Sequence, residues 1–231
     1  MDALECIRAR RSIKKFLTKP VEFEKITLIL EAGHHAPSAG NLQNWRFVVV
    51  TDKNMIRALP PACLNQTSVI APIVIIVCAQ NDSIEKEYGL RGSRLYSIQN
   101  CAAAIENMML AACSLGLGMN WIGAFDENKI GAMFGIPDEA RAQAILPLGY
   151  PSEPPPPKAL RDIADVVYFN QFGLKIKNVQ QMMRDYADEI ERTTAEAKEV
   201  VDQGSRRLQD HLKRIRSGVK DVVDKRSARR K

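Results

Sequence analysis

Apolar positions recur at helical spacing near the start of the chain. Phe23, Ile26, Ile29, Leu30 and Gly33 mark one side of a helix predicted over Glu22 to His35 and ended by Pro37. A shorter helix is predicted over Asp2 to Arg10, with Leu4 and Ile7 inward and Asp2 as its N-cap. The period then shortens. Phe47 to Thr51 (FVVVT) is dense in β-branched residues, as strands are. Ile73 to Ala79 (IVIIVCA) is apolar throughout, the mark of a strand buried on both faces. Leu95 to Leu115 is the longest helix expected in the body. It is apolar on nearly every side, which suits the middle of a domain or an interface, and Gly116 and Gly118 end it. A short strand near Met119–Ile122, a helix over Asp126–Phe134 capped by Asp126, and a strand over Ala142 to Leu148 complete the body. Strands buried between helices make it α+β or α/β.

The pattern changes at Tyr150. PSEPPPP cannot continue a helix or an interior strand, because proline fixes φ and lacks the amide donor. Asp165 to Phe169 (DVVYF) reads as one more short strand. Beyond Phe172 there is no proline. Ile176, Val179, Met183, Tyr186, Ile190, Thr193, Ala197 and Val200 recur at steps of three and four, a heptad seam, and a second seam runs through Leu208, Leu212, Ile215, Val219 and Val222. The phase slips at Gly204, where a kink or break is expected. The chain therefore divides into a body, 1–172, and a helical, coiled-coil-like extension, 173–231.

Charge follows the same division. Residues 174–231 hold 16 basic and 10 acidic groups, which leaves 17 of each in residues 1–173. The net charge of +6 thus belongs to the extension, and residues 206–231 alone carry 11 basic and 3 acidic groups. The first half of the extension is expected to pair with a partner helix or pack on the body. The second half suits an anionic surface, either a membrane surface or nucleic acid. No run of 18 apolar residues and no signal-peptide core occur in the sequence, so a cytoplasmic protein is expected. The five cysteines are odd in number, lack C-x-x-C spacing and sit mostly in apolar runs, so they read as free buried thiols and neither disulfides nor metal ligands.

Four separated segments carry candidate chemistry. Arg10-Arg11-Ser12-Ile13-Lys14 sets three cations and a hydroxyl within five residues, enough to clamp a phosphate, although surface basic clusters are common. Ala36 to Phe47 (APSAGNLQNWRF) is a loop of small residues in which Ser38, Asn41 and Gln43 offer neutral donors and acceptors; it also reads as an ordinary helix-to-strand turn. Gly116 to Phe125 (GLGMNWIGAF) could expose backbone amides beside a planar ring, or simply cap a helix. Leu146 to Pro151 (LPLGYP) is followed by the cations Lys158 and Arg161.

Together, in this order and at these separations, the four segments resemble the nitroreductase family of flavoproteins over roughly residues 3 to 168. That family shows an R-R-S-x-R/K start, an A-P-S-x-x-N-x-Q-x-W loop, a helix ending in G-L-G before a W-x-G turn, and an L-G-Y-P strand end followed by basic residues. The departures are Lys14 where arginine is also common and Ala124 where a second glycine is frequent. The resemblance implies an α+β fold with a central mixed sheet surrounded by helices. It implies a homodimer binding FMN at two interface sites lined by both subunits. Arg10, Ser12, Lys158 and Arg161 then look like phosphate and ribityl contacts, which Arg11 could join, and Lys14 like the cation near the flavin pyrimidine. Pro37, Ser38, Asn41 and Gln43 would come from one chain. The turn Trp121, Ile122, Gly123 would lie at the reactive edge of the ring, with Gly149 at the strand end and Asn65 and Gln66 within reach. No catalytic side chain and no metal is implied, because the flavin is the reactive group; His34 and His35 read as structural or solvated.

NAD(P)H is the implied transient donor, and a small acceptor such as a nitroaromatic or quinone the second substrate. No G-x-G-x-x-G pattern offers a separate nucleotide domain. Two other readings stay open: the same fold with different chemistry, such as dehalogenation or dehydrogenation of a substrate held near Asn81–Tyr96, or a flavin-binding module recruited through its basic extension.

Overall fold

A computed structural model describes residues 1–155, 157–175, 195–196 and 198–199. The chain divides into two units, Met1–Lys158 and Ala159–Lys231. The residues of both predicted seams lie outside the described residues; of that stretch, Ala195, Glu196, Lys198 and Glu199 are helical. No described helix is long and apolar enough to cross a membrane.

The first unit is built on a four-stranded sheet. Its strands are β1 (Trp45–Val50), β2 (Ile73–Gln80), β3 (Gly118–Met119) and β4 (Ala140–Gly149), in the order β1-β2-β4-β3. Among the described residues all strand pairs are antiparallel, and the one parallel element of the expected mixed sheet is an isolated bridge from Ser12 to Met119. β2 is central and every residue from Ile73 to Ala79 is buried, as its unbroken apolar run requires. Successive side chains on a strand face opposite ways. Ile73, Ile75, Val77 and Ala79 accordingly join one core with residues of the helices α2 (Phe23–His34) and α5 (Ser97–Ser114). Val74, Ile76 and Cys78 join a second core with Ile56 of α3 (Lys53–Arg57) and Ile130 of α6 (Glu127–Phe134).

α5 resolves why its sequence is apolar almost all round. It packs on α2 and on α1 (Ala3–Ala9), and also against all four strands. It is therefore a central helix of its own chain. Asp2 caps α1 through a capping box with Glu5, as its sequence suggests. The inward face of α1 differs from expectation: Leu4 and Ile7 are 61% and 46% exposed, and Cys6 is the buried residue. A seven-residue helix lying on α5 has room for one small inward side chain, and the larger apolar residues turn out.

Three further differences follow from local chemistry. The predicted strand near Met119–Ile122 is shorter, with Ile122 joined to Ile145 as an isolated bridge. DVVYF forms no strand: Ile163–Asp165 is a 3-10 turn whose N-cap Asp162 accepts from the Ala164 amide at 2.9 Å. Its turn chemistry outweighs its short apolar run. α3 was not evident from periodicity because it has only five residues; Asp52 starts it by accepting from the amides of Asn54 and Met55. Between β2 and α5, α4 (Asp82–Arg91) breaks at Gly89, where φ is 57° and ψ −153°, and runs into a π-turn at Gly92–Tyr96.

A buried polar chain ties this region together. Asn44 Nδ2 donates to Ser97 Oγ at 2.8 Å, and Ser97 Oγ donates to Asn81 Oδ1 at 2.6 Å. Asn100 Nδ2 donates to Asn44 Oδ1 at 2.8 Å, and Asn100 Oδ1 accepts from the Ala39 amide at 3.0 Å. Asn44, Ser97 and Asn100 are all buried, so each lost partner leaves an unpaired polar group away from water. Asn100→Ala is expected to lower the unfolding free energy by about 2 kcal/mol, the scale of a buried group left unpaired. Chemical denaturation would measure it, and a loss near zero would show that water or neighbouring groups replace Asn100.

Candidate cofactor site

The cationic segment leaves α1 and runs in extended form along the sheet edge. The Ile13 amide donates to the Met119 carbonyl at 2.9 Å, and the Leu17 amide to the Tyr150 carbonyl at 2.8 Å. An extended segment alternates its side chains. Ile13 is buried, while Ser12 and Lys14 are exposed. Gly118 makes the inward position possible: a Cβ on it would lie 2.7 Å from Ile13 Cβ, closer than carbon atoms approach. Tyr150 fixes the far end. Its hydroxyl donates to the Glu22 carboxylate at 2.7 Å and accepts from Lys25 Nζ at 2.7 Å. The hydroxyl contact, with Lys25 close by, holds the Glu22 carboxyl down to about 2.

This arrangement opens a cavity of about 420 Å³. Arg10, Arg11, Lys14, Lys15 and Lys158 bring five cations to its lining, and Glu153 is its one acid. Glu153 is already engaged by Lys15 at 3.1 Å. Arg10 Nε lies 3.3 Å from Glu106 Oε1, yet it is buried and makes no hydrogen bond. Excess positive charge and a buried donor in want of an acceptor fit a phosphate dianion. Ser12 adds a hydroxyl at the same wall. Arg11 Nη1 donates to the carbonyls of Arg8, Ala9 and Arg10 at 2.6, 3.1 and 2.8 Å, and so caps the C-terminus of α1. Arg161 belongs to the second unit and is exposed.

The loop that holds Pro37, Ser38, Asn41 and Gln43 is a strained turn, with φ positive at Gly40, Asn41 and Gln43. Ser38 Oγ accepts from the Gln43 amide at 3.1 Å, and Gln43 Nε2 folds back onto Asn41 Oδ1 at 3.0 Å. Tyr88 covers Gly40 closely enough that a Cβ there would lie 2.6 Å from the hydroxyl. None of the residues lining the cationic cavity comes from this loop.

A third group joins Gln66 to the turn after β3, through Gln66 Nε2 donating to the Ala124 carbonyl at 2.9 Å. In that turn Trp121 and Gly123 are exposed. Ile122 is 2% exposed and exchanges both backbone hydrogen bonds with Ile145, so its side chain belongs to the core. Gly149 is also buried: a Cβ on it would sit 2.8 Å from Pro72 and 3.2 Å from Phe16. The structure thus gathers Arg10, Arg11, Ser12, Lys14 and Lys158 in one wall, and Gln66 with Trp121–Gly123 in another. Lys15, Glu153, Glu106 and Asn100 were not singled out from the sequence. Asn100 left a signal, as an amide directly before the apolar run CAAAIENMML, whereas the others needed tertiary contacts to become visible.

The model of the Nitroreductase family matches residues 7–72 and 69–150. A protein of Methanothermobacter thermautotrophicus provisionally named NADH dehydrogenase/NAD(P)H nitroreductase is 38% identical over 170 residues, 71% of this chain and 84% of the relative. The NADH dehydrogenase of Thermus thermophilus is 32% identical over 181 residues, 66% of this chain and 88% of the relative. Among solved structures, the NADPH:FMN oxidoreductase from Vibrio harveyi complexed with NAD+ superposes with a TM-score of 0.68 at 27% identity, covering 84% of this chain and 91% of that one.

The remaining reactive groups are quiet. All five cysteines are free, and the described residues contain no cluster of His, Cys, Asp and Glu able to hold a metal ion. Burial pushes the thiols of Cys63 and Cys78 up to about 11 and that of Cys101 up to about 12. His34 accepts from Trp45 Nε1 at 3.4 Å, a structural role. Because burial penalises the thiolate, these cysteines favour the folded state below the ordinary thiol value, and that contribution disappears as pH rises through 11 to 12. At pH 8 a thiol reagent should modify Cys63, Cys78 and Cys101 only after unfolding. Mass spectrometry of the folded protein would check this, and rapid labelling of any of the three would contradict their assignment as inert core thiols.

Proposed function

The chain belongs to the nitroreductase family, and from that premise we propose that it binds FMN, takes hydride from NAD(P)H and passes the electrons to a small oxidised acceptor such as a nitroaromatic or quinone. It is a flavin oxidoreductase of that family that uses NAD(P)H; the finer assignment rests on the cationic cavity and on Arg10 Nε, which is buried without a hydrogen bond. When bound, FMN would supply the hydride acceptor and two-electron store that no side chain offers. We assign Arg10, Ser12 and Lys158 to its phosphate and ribityl groups, and Arg11 to a supporting part through the end of α1. Lys14, the next outward position along the segment, is assigned to the pyrimidine side, where a fixed cation favours negative charge. Trp121, Ile122 and Gly123, with Gln66 behind them and Gly149 at the strand end, are assigned to the ring's surroundings through their backbone or exposed faces.

Pro37, Ser38, Asn41 and Gln43 are assigned to the cofactor site of a second copy of the chain. Two observations support a homodimer. The loop does not line the cationic cavity of its own chain. Leu4, Ile7, Phe23 and Leu28 are also exposed on α1 and α2, apolar surface that association would remove from water. The residues 173–231 are assigned to recruitment by an anionic surface, outside the chemistry, because their charge and their lack of proline set them apart from the body.

Purified protein is expected to be yellow, to hold about one FMN per chain and to sediment as a dimer. Anaerobic addition of NADH or NADPH should bleach it, and a chain ending at residue 172 should do the same. A charge-assisted contact contributes about 1.5–3 kcal/mol, so R10A/S12A should weaken FMN binding by at least about tenfold. Flavin retained at full occupancy and undiminished affinity in that double variant would remove the phosphate assignment of this segment.

A further inference from the structure

A second cleft, of about 400 Å³, opens where β1 ends and β2 begins, and it shares no residue with the cationic cavity. Its walls are apolar: Phe16, Leu17, Ile56, Ile70 and Pro72. Ile56 is 3% exposed, whereas Leu17 and Ile70 are 45% and 42% exposed. The cleft therefore leaves large apolar side chains open to water within a concave surface of the size that small ligands use.

Its charged groups are of one sign. Lys53 and Arg57 line it from α3, four residues apart and hence on one face of that helix. Neither makes an ion pair or a side-chain hydrogen bond among the described residues. Like charges at this spacing repel, and no acidic residue lines the cleft to offset them. The nearest carboxylate in sequence, Asp52, is committed to capping α3. Thr18 and Thr51 complete the polar part of the lining.

An apolar wall facing an unpaired cation pair selects its ligand. A phosphate would leave Leu17 and Ile70 in water, and a neutral hydrocarbon would leave Lys53 and Arg57 unpaired. We propose that this cleft binds a small amphipathic monocarboxylate, its apolar body against Phe16, Leu17 and Ile70 and its carboxylate held between Lys53 and Arg57. The site is independent of the flavin assignment, since a protein without flavin would keep the same walls.

The test uses the full-length protein as purified, with isoleucine methyl groups labelled for NMR and sodium octanoate as the probe. Octanoate should shift the methyl resonances of Ile56, Ile70 and Ile73 saturably, and 1-octanol should bind at least about tenfold more weakly, because a charge-assisted contact is lost. K53Q/R57Q should bring octanoate down to the level of 1-octanol while flavin absorbance and far-UV circular dichroism stay unchanged. Equal binding of octanoate and 1-octanol, undiminished octanoate binding in the double variant, or no shift at these three methyls would overturn the proposal. The comparison of the two probes needs no variant, so it decides even if K53Q/R57Q proves unstable.

Discussion

The close approach of Ile13 to Gly118 is the contact on which the cationic site depends. It seats one side chain of the segment Arg10–Lys14 in the core, and the extended backbone then turns its neighbours Ser12 and Lys14 outward. The amide of Ile13 is fixed to Met119 and that of Leu17 to Tyr150, so the segment is held at both ends by the sheet and its edge. Three cations in five residues would repel one another on a free chain. Fixed in this way, they form a wall whose positive charge exceeds what Glu106 and Glu153 can balance. Such a wall favours an anion with little rearrangement, which is the physical content of preorganisation.

The rest of the unit supports that edge. β2 carries both cores because its apolar run serves two faces, and α5 fills the space between the sheet and α2. The buried chain through Asn81, Ser97, Asn44 and Asn100 is costly to leave unpaired and is fully bonded, so it specifies one arrangement where apolar packing alone would accept several. Through Asn100 it also fixes the Ala39 amide and thus the turn with positive φ at Gly40, Asn41 and Gln43.

Much of this was legible in the sequence because the signals were local. The run IVIIVCA, the cap at Asp2, the end of α5 at Gly116 and the cation cluster after α1 all express short-range chemistry. The four motifs together were enough for the family resemblance, which the match over residues 7–150 bears out. What failed depended on which surface an element meets. Leu4 and Ile7 follow a helical period, but the short α1 offers only Cys6 to α5. DVVYF has strand composition, yet the turn begun by Asp162 takes its first residues. The contact of Gly118 with Ile13, for which the missing side chain makes room, lies between segments far apart in the chain. Gly149 is likewise required by Pro72 and Phe16. These are contacts between distant segments, and no spacing along the chain reveals them.

The most direct measurement is the FMN dissociation constant of Gly118→Ala against the unaltered protein, followed by flavin fluorescence. The added methyl group meets Ile13 Cβ at 2.7 Å, at a position where the side chain cannot swing away. It should displace Ser12 and the flanking cations and weaken FMN binding by at least about tenfold, the loss of one charge-assisted contact, while far-UV circular dichroism stays native. An unchanged dissociation constant in a folded Gly118→Ala protein would mean that the cationic segment does not hold the cofactor through this contact.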